Sequence, residues 1–312
     1  MTSLTISMTV HGDFSRVGPA LRSLYTTTLQ PCAIFVTINL GTAAEAEALK
    51  AEFPDIRLLQ NETPEGFAAN HNRVMALAQT PYIALLNDDI LLHEGALDML
   101  TGYLDDHPEV ALVGPRVSYP DGKPQVSVYN DPDLLRMVYK ISGLSRLTSQ
   151  QSRLRRWLLR LGAGLVFKVE SLKPQTAARP VPVIKGVAMV VRQDVYESVG
   201  GMDETTLAYG EEPDWHLRIR QAGGQVVFVP QAEVTHFGLG QVQLKMQGSL
   251  LIEDRKSILN YFIKHRPRWE VWVIRVAIVV FHTLWACGWW LVDRQRARNH
   301  LAAARMGLNW NR

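Results

Sequence analysis

An acidic cluster of Asn87, Asp88 and Asp89 follows a short apolar run over residues 82–86. The run comes after the turn-forming pair Thr80-Pro81, which is typical of a strand buried on both faces of a parallel sheet. The cluster would then lie at the carboxyl end of that strand, where open α/β sheets bind ligands. Carboxylates at this edge indicate a divalent cation, Mg²⁺ or Mn²⁺, that bridges to a substrate phosphate. The same residues also suit a turn that caps a helix, and this stretch alone favours neither interpretation.

Length and composition indicate a globular protein. The chain has 312 residues, 47% hydrophobic and 20% charged, which allows one large domain with an appendage or two domains. The net charge of +3 is small, and we expect no nucleic-acid partner. Cys32 and Cys287 provide neither a disulfide framework nor metal-ligand spacing, which favours the reducing, cytosolic side of a membrane. The first residues lack the basic and apolar regions of a signal peptide.

Strand and helix patterns alternate along the first part of the chain. Strands are predicted over residues 4–10, 33–38, 56–59 and 82–86, and helices from Gly18-Pro19 to Pro31, over 43–53 and over 67–79. This alternation predicts an α/β fold with a parallel, doubly wound sheet. The sequence contains no P-loop motif, and no G-x-G-x-x-G that follows a strand and opens a helix.

An ordered set of motifs over residues 4–240 resembles the family 2 glycosyltransferases, and most of all their rhamnosyltransferase-like branch. The motifs are Leu21-Arg22-Ser23-Leu24, Ile38-Asn39-Leu40-Gly41-Thr42, Gly66-Phe67-Ala68-Ala69-Asn70-His71-Asn72-Arg73, Leu85-Leu86-Asn87-Asp88-Asp89, Lys185-Gly186-Val187-Ala188, Gly200-Gly201-Met202-Asp203-Glu204, Tyr209-Gly210-Glu211-Glu212-Pro213-Asp214-Trp215 and Val234-Thr235-His236. The resemblance implies a GT-A fold with a mainly parallel central sheet. It also implies a nucleotide-diphosphate sugar as the donor and a Mg²⁺ or Mn²⁺ cofactor.

The resemblance also implies roles for residues of the donor and metal sites. Asn39 stands where the family usually has an aspartate that reads the donor's base, although it also suits a simple strand-end turn. Asp89 corresponds to the family's metal ligand, and His236 to a histidine that completes the metal site; a lone histidine is otherwise more often structural. The full set expected to bind the donor nucleotide is His11, Asn39, Gly66, Asn70, Asn72, Arg73, Asn87 and Asp88.

The catalytic base is expected at the start of a helix that ends at Gly223-Gly224. Glu212 occupies the position of the family's general base, with Glu211 and Asp214 as the other candidates. The competing interpretation is that these acids only stabilise the positive end of the helix dipole. By the same resemblance, Lys185, Gly186 and Trp215 are expected near the sugar and the acceptor.

Two stretches predict attachment to a membrane. A basic insertion over residues 124–180, expected on the acceptor side, contains an amphipathic pattern of Trp, Leu and Arg over 146–161. The one-sided charge favours contact with a membrane surface or a phosphate, although the pattern also suits a solvated arginine face over a packed leucine stripe. A C-terminal helical region over 241–312 contains the apolar, tryptophan-rich run 271–292, with arginines on both flanks. The run fits an interfacial helix better than a spanning one, and packing onto the protein is the third possibility.

Together these features predict an inverting, metal-dependent glycosyltransferase (a hexosyltransferase) of cell-surface polysaccharide biosynthesis. The expected donor is dTDP-rhamnose, and the expected acceptor is a hydroxyl of a lipid-linked glycan or polysaccharide. The expected location is the cytoplasmic face of the inner (plasma) membrane, with peripheral or monotopic attachment. The rival hypothesis is a catalytically inactive GT-A-fold membrane adaptor.

Overall fold

The computed structural model describes residues 3–144, 176–238 and 247–309, with side chains described from residue 250 in the last range. The strands are β1 Leu4–His11, β2 Cys32–Leu40, β3 Arg57–Gln60, β4 Tyr82–Asn87, β5 Ile90–Leu92, β6 Val110–Ser118, β7 Val128–Tyr129, β8 Arg179–Pro180, β9 Val183–Ile184, β10 Ala188–Arg192 and β11 Gln225–His236. The helices are α1 Phe14–Thr27, α2 Ala43–Glu52, α3 Phe67–Leu77, α4 Ala96–Asp106, α5 Leu134–Ser142, α6 Gln193–Val199, α7 Glu211–Gln221, α8 Gln247–His265, α9 Arg268–Trp289 and α10 Arg294–Asn309.

The described residues form two compact units. The first comprises residues 3–130, 176–207 and 211–238, and the second comprises 131–144, 208–210 and 247–309. Helix α5, which the sequence places in the basic insertion, therefore groups with the C-terminal helices. The amphipathic pattern predicted over 146–161 lies outside the described residues.

The first unit is built on a mixed sheet with the order β3-β2-β1-β4-β10-β6-β11-β5. The first four of these strands run parallel, as do β6 and β11, whereas β10 is antiparallel to both of its neighbours. Strand β8 adds to β11, and β7 pairs with β9 in a separate small sheet. The predicted α/β class is confirmed. The antiparallel insertion of β10 between β4 and β6 was not predicted.

Alternation along β4 confirms that this strand is buried on both faces. Ala84 and Leu86 belong to the apolar cluster on one side of the sheet, and Ile83 and Leu85 belong to the cluster on the other. Helices packed on each face exclude water from the strand. The polar residues that follow it are therefore the first that can reach solvent, and they do so at the carboxyl edge of the sheet.

One element boundary differs from the predictions and one strand extends past a proline, both for local reasons. Helix α1 begins at Phe14 rather than at Gly18-Pro19, because the Asp13 carboxylate caps it by accepting a bond from Ser15 N at 3.2 Å. Strand β11 continues past Pro230 to His236, because an irregularity in its pairing with β6 between Val229 and Glu233 accommodates the proline. This extension carries His236 to the edge of the sheet.

The second unit is helical, and polar contacts link its helices. The Lys140 ammonium on α5 pairs with Asp254 on α8 at 2.6 Å, and Trp285 Nε1 on α9 donates to Ser142 O at 2.9 Å. Within the described part of the chain, α9 alone is long and apolar enough to cross a membrane by length and composition, with a mean hydropathy of 1.8. The apolar run predicted over residues 271–292 corresponds to this helix.

Two fully buried histidines of the first unit predict how stability depends on pH. Burial lowers the pKa of His71 and of His216 to about 3, from the ordinary 6.5. Below pH 6.5 the unfolded chain takes up protons that the folded chain does not bind until about pH 3. The free energy of unfolding should therefore decrease as the pH is lowered from 6.5 to about 3, by up to about 1.4 kcal/mol per pH unit for each histidine.

Urea unfolding between about pH 7.5 and 4.5 measures this slope. His216→Gln retains an acceptor for the Ile184 amide, which donates to His216 Nδ1 at 3.3 Å, and should make the slope shallower. The exposed His93→Gln is the matched control and should leave the slope unchanged. An equally steep slope in His216→Gln would contradict the assignment.

Candidate functional site

The acidic cluster lies where β1 and β4 end side by side. The two strands are parallel, with Thr9 opposite Asn87, so His11 and the residues after Asn87 reach the same edge. The amide of His11 donates to Asp88 Oδ2 at 3.3 Å. Burial, together with the charge of the adjacent Asp89, raises the pKa of Asp88 to about 7. This edge therefore carries an excess of negative potential that favours a bound cation.

Asp89 is buried, and its carboxylate contacts one arginine and one histidine. Its Oδ2 lies 3.3 Å from Nη1 of Arg16 on α1, and its Oδ1 lies 3.2 Å from Nε2 of His236 at the end of β11. Its backbone oxygen also accepts a bond from the amide of Phe237 at 3.0 Å. Two of the predicted residues, Asp89 and His236, are thus brought together although they are far apart in the chain.

A hydrogen-bond chain through Gln125 fixes the tautomer of His236. Gln125 Nε2 donates to the backbone oxygen of His236 at 2.8 Å, and its Oε1 accepts from Lys185 Nζ at 3.3 Å. The amide orientation is therefore set, and Oε1 faces His236 Nδ1 at 2.9 Å. Because this oxygen can only accept, Nδ1 carries a proton, and Nε2 is the ring nitrogen that faces Asp89.

The chemistry of Asp89 and His236 fits a divalent cation. Asp89 Oδ1 and His236 Nε2 face each other at 3.2 Å, and a carboxylate oxygen and an imidazole nitrogen are both ligands that Mn²⁺ accepts. The described residues contain no group of three or more His, Cys, Asp or Glu side chains arranged for a metal. A cation held here would have two protein ligands, and its other positions would go to water and to oxygens of a substrate diphosphate.

Asn39, at the end of β2, lies next to His11 but has its own side chain fully engaged. Its Nδ2 lies 2.9 Å from Glu65 O and 3.0 Å from His11 Nδ1. Its Oδ1 accepts from Glu65 N and from Asn61 Nδ2, both at 2.8 Å. An aspartate could not supply the two donated bonds, so the asparagine suits this position. The geometry favours a role in holding the 61–65 loop.

Asn70 extends this network into helix α3. Its Oδ1 accepts from Asn61 Nδ2 at 2.7 Å, and its Nδ2 donates to Gly66 O at 2.8 Å. A Cβ on Gly66 would lie 2.8 Å from the backbone oxygen of Thr206, which explains the glycine. The exposed Arg73 reaches the same network through Asn61 Oδ1 at 3.1 Å. These residues shape the loop beside the sheet edge.

Asn72 faces the 201–204 loop. Its side chain donates to Met202 O at 2.8 Å and to Glu204 Oε1 at 2.7 Å, and it accepts from Met202 N at 2.9 Å. These three bonds fasten the loop to helix α3. The geometry therefore favours a positioning role for Asn72.

Glu212, on the first turn of α7, presents its carboxylate to the β9–β10 connection. Its Oε1 accepts a bond from the Gly186 amide at 2.9 Å, and a Cβ at residue 186 would approach this oxygen to 2.5 Å. Burial raises the pKa of the Glu212 carboxyl, while the charge of Lys185 opposes part of that rise. The bond from Gly186 orients the carboxylate, and burial increases its basicity.

Lys185 links the two parts of the site. Burial lowers the pKa of its ammonium, and the charges of Glu212 and Asp89 act in the opposite direction. Both carboxylates therefore lie within electrostatic range of this one cation. The expected acceptor-side position of Lys185 stays a prediction, but its ammonium donates to Gln125 Oε1 at 3.3 Å beside His236, and the amide of the next residue, Gly186, donates to Glu212.

The other candidates on α7 are engaged elsewhere. Asp214 is buried and receives two bonds from Arg218, at 3.0 Å from Nε and 2.9 Å from Nη2, and Arg218 also donates to Val199 O and Gly201 O. Trp215 is fully buried and donates to Gly200 O at 2.9 Å. These contacts favour structural roles for both, and they give Trp215 no surface for an acceptor. Glu211 is also buried, at 6% exposure.

Sequence reasoning missed Arg16 and Gln125. Arg16 sits one turn into α1 with no motif around it, and Gln125 follows the turn at residues 120–122 without a local signal of its own. Their partners, Asp89 and His236, are distant in the chain. Only the folded sheet brings them within reach.

Replacing Asn39 tests the loop network without substrate or metal. Asn39→Asp keeps the size of the side chain but places a carboxylate oxygen against Glu65 O. The two acceptors of the Asn39 amide, Glu65 O and His11 Nδ1, then lose their donor. We expect the free energy of unfolding to fall by about 1–3 kcal/mol at neutral pH. Urea unfolding measures the loss. Gln231→Glu, an amide-to-acid change at an exposed site, is the control, and equal stability of the two variants would contradict the network.

Comparison with known proteins identifies a family and relatives that match most of the sequence. The family model described as "Glycosyltransferase like family 2" matches residues 32–270. The N-acetylglucosaminyl-diphospho-decaprenol L-rhamnosyltransferase of Mycobacterium tuberculosis is 24% identical over 274 residues, which covers 83% of this chain and 85% of that one.

Two solved structures share the fold. The mannosyltransferase PcManGT from Pyrobaculum calidifontis, in complex with GDP-Man and Mn²⁺, superposes with a TM-score of 0.55 at 14% identity, covering 98% of this chain and 87% of that one. GalNAc-T7 with UDP, GalNAc and Mn²⁺ gives 0.56 at 15% identity, covering 77% of this chain and 44% of that one. The first unit has the GT-A architecture of these enzymes. Because the family model spans well over half of the sequence, the chain belongs to the family 2-like glycosyltransferases.

Proposed function

We propose that the protein is an inverting glycosyltransferase that moves a sugar from a nucleotide-diphosphate donor to a hydroxyl of a lipid-linked or polysaccharide acceptor. The observation that carries the proposal is that the adjacent residues Lys185 and Gly186 bond to both sides of the site: Lys185 Nζ donates to Gln125, which contacts His236, and the Gly186 amide donates to Glu212. A cation site for the donor diphosphate and a base for the acceptor are thus parts of one site. The family membership supports a transferase.

The relatives support a finer assignment. The M. tuberculosis relative is named for rhamnosyl transfer to a prenyl-diphosphate-linked N-acetylglucosamine. We infer dTDP-rhamnose as the donor, a lipid-linked glycan as the acceptor, and the cytoplasmic face of the plasma membrane as the location. The solved relatives that hold Mn²⁺ support Mn²⁺ or Mg²⁺ as the cofactor.

The reaction is a single displacement. Glu212 accepts the proton of the acceptor hydroxyl while the oxygen of that hydroxyl bonds to the anomeric carbon of the sugar. The bond from this carbon to the diphosphate oxygen breaks on the opposite face, and the nucleotide diphosphate leaves. Asp89 and His236 would hold a divalent cation, which would neutralise the charge that develops on the leaving group.

The carboxyl of Glu212 suits a base for two reasons. The Gly186 amide fixes one oxygen and so orients the group, and burial raises the pKa, which strengthens the carboxylate as a proton acceptor. Asp214, in contrast, is neutralised by Arg218. The geometry therefore favours Glu212.

The second candidate is a non-catalytic adaptor that keeps the fold. One observation favours it: Asn39, at the position expected to read the donor's base, spends all four of its hydrogen-bonding positions on the protein itself. An adaptor would retain the loops but have no turnover.

Nucleotide release distinguishes the transferase from the adaptor. Full-length protein is mixed with dTDP-rhamnose or another nucleotide sugar and a prenyl-diphosphate-linked N-acetylglucosamine, and free nucleotide diphosphate is measured. We expect release that stops with EDTA and returns with Mn²⁺ or Mg²⁺. Asp89→Asn should abolish the metal-dependent release of nucleotide, because the Asp89 carboxylate is the only anionic ligand of the Asp89–His236 pair. No metal-dependent release with any donor would favour the adaptor.

A metal-binding readout accompanies this assay. Titration of Mn²⁺ followed by electron paramagnetic resonance gives the dissociation constant directly. Gln125→Leu removes the acceptor that fixes the His236 tautomer, and we expect the Mn²⁺ affinity to fall by roughly 10–100-fold. Gln193→Leu is the matched control. Undiminished affinity in Gln125→Leu would remove the positioning role of this residue.

Paired substitutions test the base. Glu212→Gln keeps an acceptor for the Gly186 amide, so donor binding by calorimetry should persist while kcat falls by roughly two to four orders of magnitude. Asp214→Asn should chiefly lower stability, because it weakens the Arg218 contacts. A near-normal kcat in Glu212→Gln together with an inactive but folded Asp214→Asn would move the base to Asp214.

A further inference from the structure

Helix α9 exposes an apolar stripe along its length. Its large members recur at helical spacing and are Trp269, Trp272, Val273, Val276, Val280 and Leu284, and the exposed Trp290 and Leu291 continue it past the end of the helix at Trp289. Their exposure ranges from 40% at Val273 to 94% at Leu291. No charged side chain interrupts the stripe. An apolar surface of this length is unusual for a protein surface in contact with water.

The opposite face of α9 packs against helices α8 and α10. Arg255 Nε on α8 lies 3.0 Å from His282 Nε2, and His282 Nδ1 lies 2.7 Å from His300 Nδ1 on α10. A Cβ on Gly307 of α10 would lie 2.8 Å from Ile278. Since His300 meets His282 while the later Gly307 meets the earlier Ile278, α10 runs antiparallel along α9.

This packing is incompatible with a spanning helix. Arg305 is exposed and lies two residues from Gly307, which contacts Ile278 near the midpoint of α9. If α9 crossed a bilayer with α10 alongside it, Arg305 would sit near the centre of the hydrocarbon, and Arg298 would follow it into the bilayer. Each arginine there costs at least about 2.5–3.5 kcal/mol, and the buried Arg255–His282–His300 contacts would have to break to avoid that cost.

We propose that α9 lies in the plane of the membrane interface, with the stripe inserted into one leaflet and the opposite face still packed on α8 and α10. The occupant of the stripe is a bilayer that contains anionic lipid. Residues 268–309 contain six arginines and only two acids, Glu270 and Asp293, and both acids pair with arginine, at 2.8 and 3.0 Å. Three of the exposed residues are tryptophans, which prefer the level of the headgroups.

The inference deepens the proposed membrane location and does not depend on the donor or on the reaction. At about 1.5 Å per residue the helix is about 33 Å long, so it offers a long line of contact to a single leaflet. Cys287, which is exposed and lies in register with the stripe, gives a natural position for a label.

Vesicle binding tests the surface. Full-length protein without substrates is sedimented with phosphatidylcholine vesicles that contain or lack phosphatidylglycerol. We expect binding that is tighter with phosphatidylglycerol and that persists in a high-salt wash. The double variant Val276→Asp, Val280→Asp should bind at least roughly tenfold more weakly, because it places charge in the inserted stripe. The control is Leu29→Asp, which changes an apolar residue of the first unit that is 91% exposed and should leave binding unchanged.

Depth measurements test the orientation. A Cys32→Ser variant carries a nitroxide at Cys287, and single cysteines replace Val273 and Val280 in a cysteine-free background. We expect one shared, shallow depth of about 5–10 Å at all three positions. A label at position 280 near the bilayer centre, about 15 Å deep, with shallower labels at the other two positions would show a spanning helix and overturn the proposal.

Two further outcomes would also overturn it. If the protein does not bind vesicles but forms dimers that the double aspartate variant disrupts, the stripe binds a second copy of the chain. If a salt wash alone releases the protein, attachment is electrostatic and the stripe is not inserted. Nucleotide release measured without vesicles reports on the transferase separately, so a failure of one hypothesis is not mistaken for a failure of the other.

Discussion

The site depends on the cost of placing two consecutive carboxylates at a largely buried sheet edge. Asp88 and Asp89 repel each other, and burial deprives them of the water that would otherwise screen the repulsion. The surrounding protein offsets part of this cost with the charge of Arg16 and with the amide of His11. Burial and the charge of Asp89 still raise the pKa of Asp88. A divalent cation at this edge would offset the remaining repulsion, which is consistent with the proposed metal site.

The residues around this edge divide into those proposed to contact ligands and those that hold loops. His11 and His236 end strands β1 and β11, Asp89 lies in the turn between β4 and β5, and the sheet fixes these three relative to one another. The loops over the edge are instead fastened by side chains from helices, by Asn72 to the 201–204 loop and by Arg218 to residues 199–201. Because each loop is anchored by several bonds to a buried element, their positions are set by packing and not by the ligand.

The sequence was most informative where the chemistry is local. An apolar run that leads into Asp89 predicts a buried strand with a polar end. The helix start at residues 211–214 is also a short local pattern, whereas the choice of Glu212 as the base came from the family resemblance. The start of α1 was predicted wrongly because Gly18-Pro19 is a common pattern at helix starts, whereas the Asp13 cap is a single residue. Arg16 and Gln125 could not be found, since their importance comes from partners brought near by the sheet. The role of the Asn39 amide could not be predicted for the same reason. It depends on Glu65 and Asn61, and no spacing pattern in the sequence links these residues to Asn39.

Three glycines near the site limit how such a chain can diverge. A Cβ at Gly186 would meet Glu212 Oε1 at 2.5 Å, and one at Gly201 would meet Asn72 Oδ1 at 2.5 Å. These neighbours are side chains, so either glycine can be replaced in evolution if its partner shortens at the same time. Gly66 instead faces the backbone oxygen of Thr206, which no exchange of side chain removes. Positions 186 and 212, and positions 201 and 72, are therefore expected to drift in pairs, whereas position 66 has no partner that could compensate.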